Sequence, residues 1–129
     1  AKETRGFRNG SPGNIDKGVG YVGGKAVSTD SRFAQFDSVD CGIRAIGKLL
    51  GAYRKKGFNT ITKVINRYAP STENNTEAYI SAVEKAVKVK RDDVLTDAMI
   101  PAFVASIIAH ENGFNPFSTA FIERCLALT

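Results

Sequence analysis

Residues 100–116 read IPAFVASIIAHENGFNP, and this stretch decides the fold. Its apolar residues recur at the period of an α-helix: Phe103, Val104, Ile107 and Ile108. Pro101 is tolerated in a first helical turn, and Gly113 is a typical residue just beyond a helix end. The pattern therefore predicts a buried helix over residues 101–111, with Glu111 in its last turn.

Four further segments show the helical period, over residues 38–57, 60–68, 76–87 and 118–128. Candidate N-caps precede or open three of them: Asp37 or Ser38, Thr76, and Ser118 or Thr119. Residues 1–37 differ, because they hold more than half of the 12 glycines and predict loops with a small β-hairpin near 20–22 and 32–36. No repeat or linker divides the chain. We predict one α+β domain, mainly α, over residues 1–129.

The composition limits the chemistry that the chain can perform. Its 129 residues include one His, two Cys and no Trp, which excludes a His-rich metal site, a Cys₄ zinc site and paired His bases. Both Cys lie on apolar helix faces, which favours free thiols over a bridge. The net charge of +5 fits nucleic acid, an anionic cell envelope or solubility alone. Neither a membrane-spanning run nor a signal segment is visible.

Two motifs in the chain are incomplete. Residues 18–23 match the G-x-G-x-x-G dinucleotide pattern, but neither a buried strand before them nor a helix after them is predicted. His110 and Glu111 begin an H-E-x-x-H pattern whose fifth position is Phe114, so no zinc-binding pair forms. We therefore interpret His110 as a surface residue at a helix end.

Glu111 has the setting of a general acid. The carbonyl groups and the negative end of the helix dipole disfavour its ionisation, as do apolar neighbours such as Phe114. A carboxylic acid that keeps its proton near neutral pH can protonate the oxygen of a glycosidic bond. Position alone also fits a solvated glutamate without a function.

Several motifs resemble those of phage lytic enzymes. Residues 109–116, AHENGFNP, resemble the E-S-G-F-N-P signature that ends the catalytic helix of lytic transglycosylases and other lysozyme-like muralytic enzymes, with Asn112 where these often carry Ser. Residues 5–15, RGFRNGSPGNI, resemble the R-G-x-R-N-x-N-P-G-N-I opening of a family of phage virion-associated lytic proteins. The likeness continues through residues 33–36, 42–45, 67–70 and 73–79. It is strongest to the nucleocapsid-surface lytic enzymes of cystoviruses, the enveloped double-stranded RNA bacteriophages.

The resemblance implies a lysozyme-like fold with a permuted order of elements, because the glutamate helix lies early in the familiar enzymes and late here. It implies that Glu111 is the catalytic acid and base, and it implies no metal or cofactor. The implied partners are peptidoglycan glycan strands and virion nucleocapsid proteins, with no nucleic acid and no membrane insertion. The implied location is the nucleocapsid surface of a virion, with action on the cell wall in the host periplasm.

Four further residues are candidates for substrate binding. Tyr68, Asn74 and Tyr79 correspond to the stretch that faces the catalytic glutamate in the resembled enzymes. Tyrosines pack on sugar faces and amides bind sugar hydroxyl and N-acetyl groups, although Tyr68 and Tyr79 also fit the buried helical pattern. Asn14 fits either a cleft wall or a turn.

The number of catalytic carboxylates distinguishes hydrolysis from transglycosylation. A hydrolase of the lysozyme type needs a second one. The candidates are Asp16, Asp30, Asp37 and Glu73, and each also fits a turn or a cap. A lytic transglycosylase needs one acid and base alone, so transglycosylation is the favoured reading. A peptidoglycan endopeptidase and a non-catalytic virion structural or peptidoglycan-binding protein remain alternatives.

Overall fold

The computed structural model describes residues 4–10, 12–13, 15, 35–36, 38–70 and 75–127. These ranges contain six α-helices and one 3₁₀ turn. The helices are α1 (Arg5–Arg8), α2 (Val39–Lys55), α3 (Ile61–Tyr68), α4 (Thr76–Val87), α5 (Ile100–Asn112) and α6 (Thr119–Ala127), and the turn is Asp97–Met99. The mainly helical prediction is confirmed. The described residues contain no β-strand, and most of the predicted hairpin lies outside them.

Helix α5 is the centre of the core. It packs against α4, α6, α2 and α1, which explains why it is apolar on nearly all sides. Four of its side chains are fully buried: Phe103, Val104, Ile107 and Ile108. Burying each of these side chains stabilises the fold by about 1.5–3 kcal/mol. The core therefore holds in place the helix that carries Glu111 at its end.

Local capping sets the helix boundaries close to the predicted ones. The side-chain oxygens of Ser38, Thr60 and Ser118 accept hydrogen bonds from backbone N–H groups three residues later, at 3.1–3.4 Å. The predicted cap at Thr76 is wrong, because Asn75 accepts from Ala78 N at 3.1 Å. The Thr76 hydroxyl instead donates to the Ala69 carbonyl at 2.7 Å and joins α4 to the end of α3.

The glycine content predicted loops and a small hairpin at the N-terminus, but the N-terminal segment also contains a helix. Residues Arg5–Arg8 form the helical turn α1, and Thr4 Oγ1 accepts from Phe7 N at 3.3 Å. The prediction weighed the glycines and missed Thr4 as a cap. After α1, the Asn9 carbonyl accepts a hydrogen bond from the backbone N–H of Phe36 at 2.7 Å.

Gly42 allows the N-terminal segment to cross α2. A Cβ atom at this position would lie 3.1 Å from Pro12 Cδ and 2.9 Å from the carbonyl carbon of Gly10, with the Gly10 oxygen nearer still. Only glycine leaves room for such a close approach of two backbones. The segment is thereby brought to the end of α5, beside the candidate site.

Cys41 and Cys125 are free thiols, as predicted.

Candidate active site

Glu111 lies half-buried in the last turn of α5. The helix ends at Gly113, whose φ of 84° lies in the left-handed region that glycine adopts readily. The chain then turns, and Asn115 Oδ1 accepts from Phe117 N at 3.0 Å. The Asn-Gly and Asn-Pro steps of the sequence thus place the carboxylate at the edge of the core.

The Tyr79 hydroxyl donates a hydrogen bond to Glu111. This hydroxyl, on α4, lies 3.0 Å from Glu111 Oε2, and the ring of Tyr79 is fully buried. Burial raises the pKa of Tyr79 well above its usual range, and the nearby Tyr68 and Glu111 raise it further. The phenol therefore keeps its proton and remains a donor to the carboxylate.

The ring of His110 stacks on the ring of Tyr79. The two rings stack with centroids 3.8 Å apart and an interplanar angle of 26°. The imidazole itself is exposed, in line with the prediction of a surface histidine. Because the Tyr79 ring has no exposed surface, its contribution to the site is the hydrogen bond to Glu111.

Asn112 ties the N-terminal segment to the end of α5. This buried amide donates from Nδ2 to the Pro12 carbonyl at 2.6 Å and to the Ile108 carbonyl at 2.9 Å. Its Oδ1 accepts a short hydrogen bond from the Thr4 hydroxyl. The residue that departs from the Ser of the resembled signature therefore faces inward. The sequence comparison identified Asn112 as a departure from the signature, but it did not predict which groups Asn112 contacts.

Tyr68 makes the second link to the N-terminal segment. Its hydroxyl donates a short hydrogen bond to the Gly13 carbonyl, 55 residues away in the chain. Gly13 follows Pro12, whose carbonyl accepts from Asn112, so Tyr68 contacts the same N-terminal segment as the residue next to Glu111. The predicted sugar-binding role of Tyr68 stays a prediction.

The other predicted site residues lie outside the described residues. These are Asn14 and Asn74, proposed for substrate binding, and the candidate second carboxylates Asp16, Asp30, Asp37 and Glu73. Their predicted roles stay predictions.

An aromatic cluster supports the turn after Glu111. The Phe7 ring meets those of Phe114 and Phe117 edge to face, with centroids 5.4 and 6.0 Å apart. Phe117 also stacks on Phe121 at 5.3 Å. The cluster joins α1, the turn and α6, so it packs the turn that follows Glu111 against the N-terminal segment. No pattern in the sequence predicted this cluster.

The described part of the chain contains no group of three His, Cys, Asp or Glu side chains that could hold a metal ion. In the same ranges, no helix has the length and apolar character needed to cross a membrane.

Comparison with known proteins relates the chain to a phage protein. No protein-family profile matches the chain. The chain is 37% identical over 126 residues to "Protein P5" of Pseudoalteromonas phage PM2, an alignment that covers 94% of this chain and 79% of that protein. The name of the relative states no activity, so the match bears on ancestry and on a phage origin of the family.

Proposed function

This chain belongs to the family of Protein P5 of Pseudoalteromonas phage PM2, and from that premise we propose that it cleaves bacterial peptidoglycan for a phage. The proposed bond is the glycosidic link between MurNAc and GlcNAc, and the proposed reaction is that of a lytic transglycosylase. The observation that carries the proposal is the hydrogen bond between the Tyr79 hydroxyl and Glu111 Oε2. It holds one carboxyl group in a fixed orientation at the edge of the core.

Glu111 acts first as the acid. A donor on Oε2 favours the acid proton on Oε1, from which it passes to the glycosidic oxygen as the bond to MurNAc C1 breaks. GlcNAc leaves as an alcohol, and positive charge develops at C1. The carboxylate that remains carries the charge needed to stabilise this centre.

Glu111 then acts as the base. It accepts the proton of the 6-hydroxyl of the same MurNAc while that oxygen attacks C1. The product is a 1,6-anhydro ring, the carboxyl group regains its proton, and no water is consumed. Tyr79 is a positioning residue in both steps, because it donates to Glu111 and its buried ring does not reach a ligand.

We also propose a lysozyme-like fold with permuted elements, which the sequence motifs support. A place on the virion nucleocapsid surface is proposed from the same motifs and from the phage origin of the relative. Action in the host periplasm follows from the proposed substrate. Asn14 and Asn74 are proposed to bind the sugars, along with the exposed part of Tyr68.

Mass analysis of the products from purified peptidoglycan tests the reaction. We expect fragments that end in 1,6-anhydro-MurNAc. Ordinary reducing ends indicate a hydrolase and direct attention to Asp16, Asp30, Asp37 and Glu73 as the second carboxylate. Released peptides indicate an endopeptidase, and intact peptidoglycan overturns the enzymatic proposal in favour of a binding or structural protein.

A further inference from the structure

A basic hollow lies on the solvent side of α3, away from the residues that surround Glu111. It has a volume of about 440 Å³, and we define it by Lys56, Phe58, Lys63 and Arg67. Lys63 and Arg67 are one helical turn apart on the exposed face of α3. The hollow is thus concave, cationic and open to solvent.

The three cations of the basic hollow are not neutralised by the described part of the protein. None of Lys56, Lys63 and Arg67 has a carboxylate oxygen within 4.0 Å there, and no Asp or Glu lines the hollow. The neighbouring groove of about 650 Å³ differs, since it mixes four cations with Asp97 and Glu123, and Asp97 pairs with Arg54 at 2.8 Å. The charged side chains that line the basic hollow are all cations.

The guanidinium of Arg67 is oriented by an aromatic ring. Its Cζ lies 5.2 Å from the centroid of Phe58, and Tyr53 meets the edge of the same ring at 6.3 Å. A guanidinium stacked in this way presents its N–H edge to solvent, where it can bind both oxygens of a carboxylate. Less side-chain entropy is then lost on binding than for an unsupported Arg.

These features favour a carboxylate-bearing polymer over a membrane or a nucleic acid. The large apolar side chains exposed in the described ranges are Val94 and Phe114, and neither lines the hollow for insertion into a lipid surface. Arg67 covers one face of Phe58, and among the described residues no other aromatic side chain lines the hollow, so it lacks a row of rings on which successive bases could stack.

The basic hollow is close to the candidate active site. Tyr68, the next residue after Arg67, donates to the Gly13 carbonyl, and the carbonyl of the adjacent Pro12 accepts from Asn112, the neighbour of Glu111. The two surfaces are therefore connected through a short chain of contacts. One branched polymer can contact both.

We propose that the basic hollow binds the free carboxylates of the peptide stems of peptidoglycan, while the glycan strand occupies the site at Glu111. This inference rests on the proposed function, because it assigns a second contact to the same substrate. The contact is ionic and exposed, so it adds retention on the cell wall and weakens with salt.

Sedimentation with purified peptidoglycan sacculi tests the proposal. All proteins carry Glu111→Gln so that the sacculi stay intact. We compare that protein with the added pair Lys63→Gln/Arg67→Gln, and with the matched pair Lys85→Gln/Lys90→Gln, which removes the same charge from exposed positions elsewhere. We expect Lys63→Gln/Arg67→Gln to weaken binding about tenfold, as for two exposed ion pairs, and the matched pair to change it less than twofold.

Chemical amidation of the sacculi carboxylates provides the second arm. We expect amidated sacculi to bind the parent protein as weakly as native sacculi bind Lys63→Gln/Arg67→Gln. Equal binding by the two double variants overturns the proposal, as does unchanged binding after amidation. Equal or tighter binding to anionic phospholipid vesicles or single-stranded DNA, lost in Lys63→Gln/Arg67→Gln, assigns the hollow to a different partner and also overturns it.

The two proposals fail in different ways. Cleavage of peptidoglycan by the unmodified protein together with unchanged binding in Lys63→Gln/Arg67→Gln removes this inference alone. Specific, amidation-sensitive binding without any cleavage products removes the proposed reaction and leaves a peptidoglycan-binding protein.

Discussion

The Glu111 region and the basic hollow use polar side chains in opposite ways. Around Glu111 the polar groups are buried or half-buried and hydrogen-bonded to one another, as in Tyr79 with Glu111 and Asn112 with Pro12. In the basic hollow the cations are exposed and lack carboxylate partners in the described part of the chain. The first arrangement fixes one group in place, and the second leaves charge available for something outside the molecule.

The two regions differ in how much the loss of a partner costs the folded state. A buried polar group that loses its partner costs the fold the full penalty of desolvation, whereas an exposed charge that loses its partner returns to water. Substitutions near Glu111 are therefore expected to have large effects, and substitutions of exposed ionic groups small ones. The following predictions test this contrast, from the largest effect to the smallest.

Glu111→Gln is expected to have the largest effect, on activity alone. The amide is near-isosteric and its carbonyl can still accept from Tyr79, but it has no acid proton, so we expect turnover of peptidoglycan to fall about 10³-fold or more. Circular dichroism and thermal unfolding should match the parent protein. Glu123→Gln, an exposed glutamate on α6, is the control and should keep its activity. Full activity of Glu111→Gln contradicts the assignment.

Asn112→Leu is expected to have the largest effect on stability. Leucine fills a similar volume but leaves the Pro12 carbonyl and the Thr4 hydroxyl without their partner, at a cost of about 3 kcal/mol in the free energy of unfolding. Urea unfolding measures this loss. The exposed Asn66→Ala should cost less than about 0.5 kcal/mol. A similar small loss for both variants shows that the N-terminal segment is not anchored by Asn112.

Tyr79→Phe is expected to have an intermediate effect, because it removes one hydrogen bond and leaves the packing of the ring intact. The loss of stability should be about 1 kcal/mol. Without this donor the carboxyl group of Glu111 is no longer held in one orientation, so we expect turnover of peptidoglycan to fall about tenfold.

Tyr68→Phe is the matched control for Tyr79→Phe, since it also deletes a phenol hydroxyl but one that donates to the Gly13 carbonyl. We expect a comparable loss of stability and a turnover of peptidoglycan closer to that of the parent protein. Equal turnover by the two variants contradicts a positioning role of Tyr79 toward Glu111.

Arg91→Gln is expected to have the smallest effect, and one that depends on pH. Hydrogen bonds from Arg91 are the main cause that lowers the pKa values of Glu77 and Glu84 from their usual 4.5. Carboxylates whose pKa is lower in the folded state stabilise it above the usual value, and this stabilisation is lost as the pH falls through the folded-state pKa.

The Tm difference between the parent protein and Arg91→Gln should therefore be present at neutral pH and disappear in strong acid. It should also be smaller than that for Tyr79→Phe and shrink with added salt. A difference that persists unchanged in acid shows that Arg91 acts through packing and not through its charge.

Much of the fold was predictable from the sequence because the relevant signals are local. Ser38, Thr60 and Ser118 cap their helices within three residues, and the apolar period identifies the buried side chains of α5. The missed elements were short ones, since α1 has four residues and its cap, Thr4, stands among glycine-rich turns. The Asn75 cap was missed because Thr76 beside it is an equally good capping residue by type.

By itself, the sequence determined the five longer helices, the core of α5 and the position of Glu111 at a helix end, because propensity, capping and periodicity act over a few residues. The tertiary structure decided which groups meet there. Tyr79 reaches Glu111 across 32 residues, Tyr68 reaches Gly13 across 55, and Asn112 reaches Pro12 across 100. These contacts depend on the packing of α3, α4 and α5, and no local pattern encodes the register of that packing.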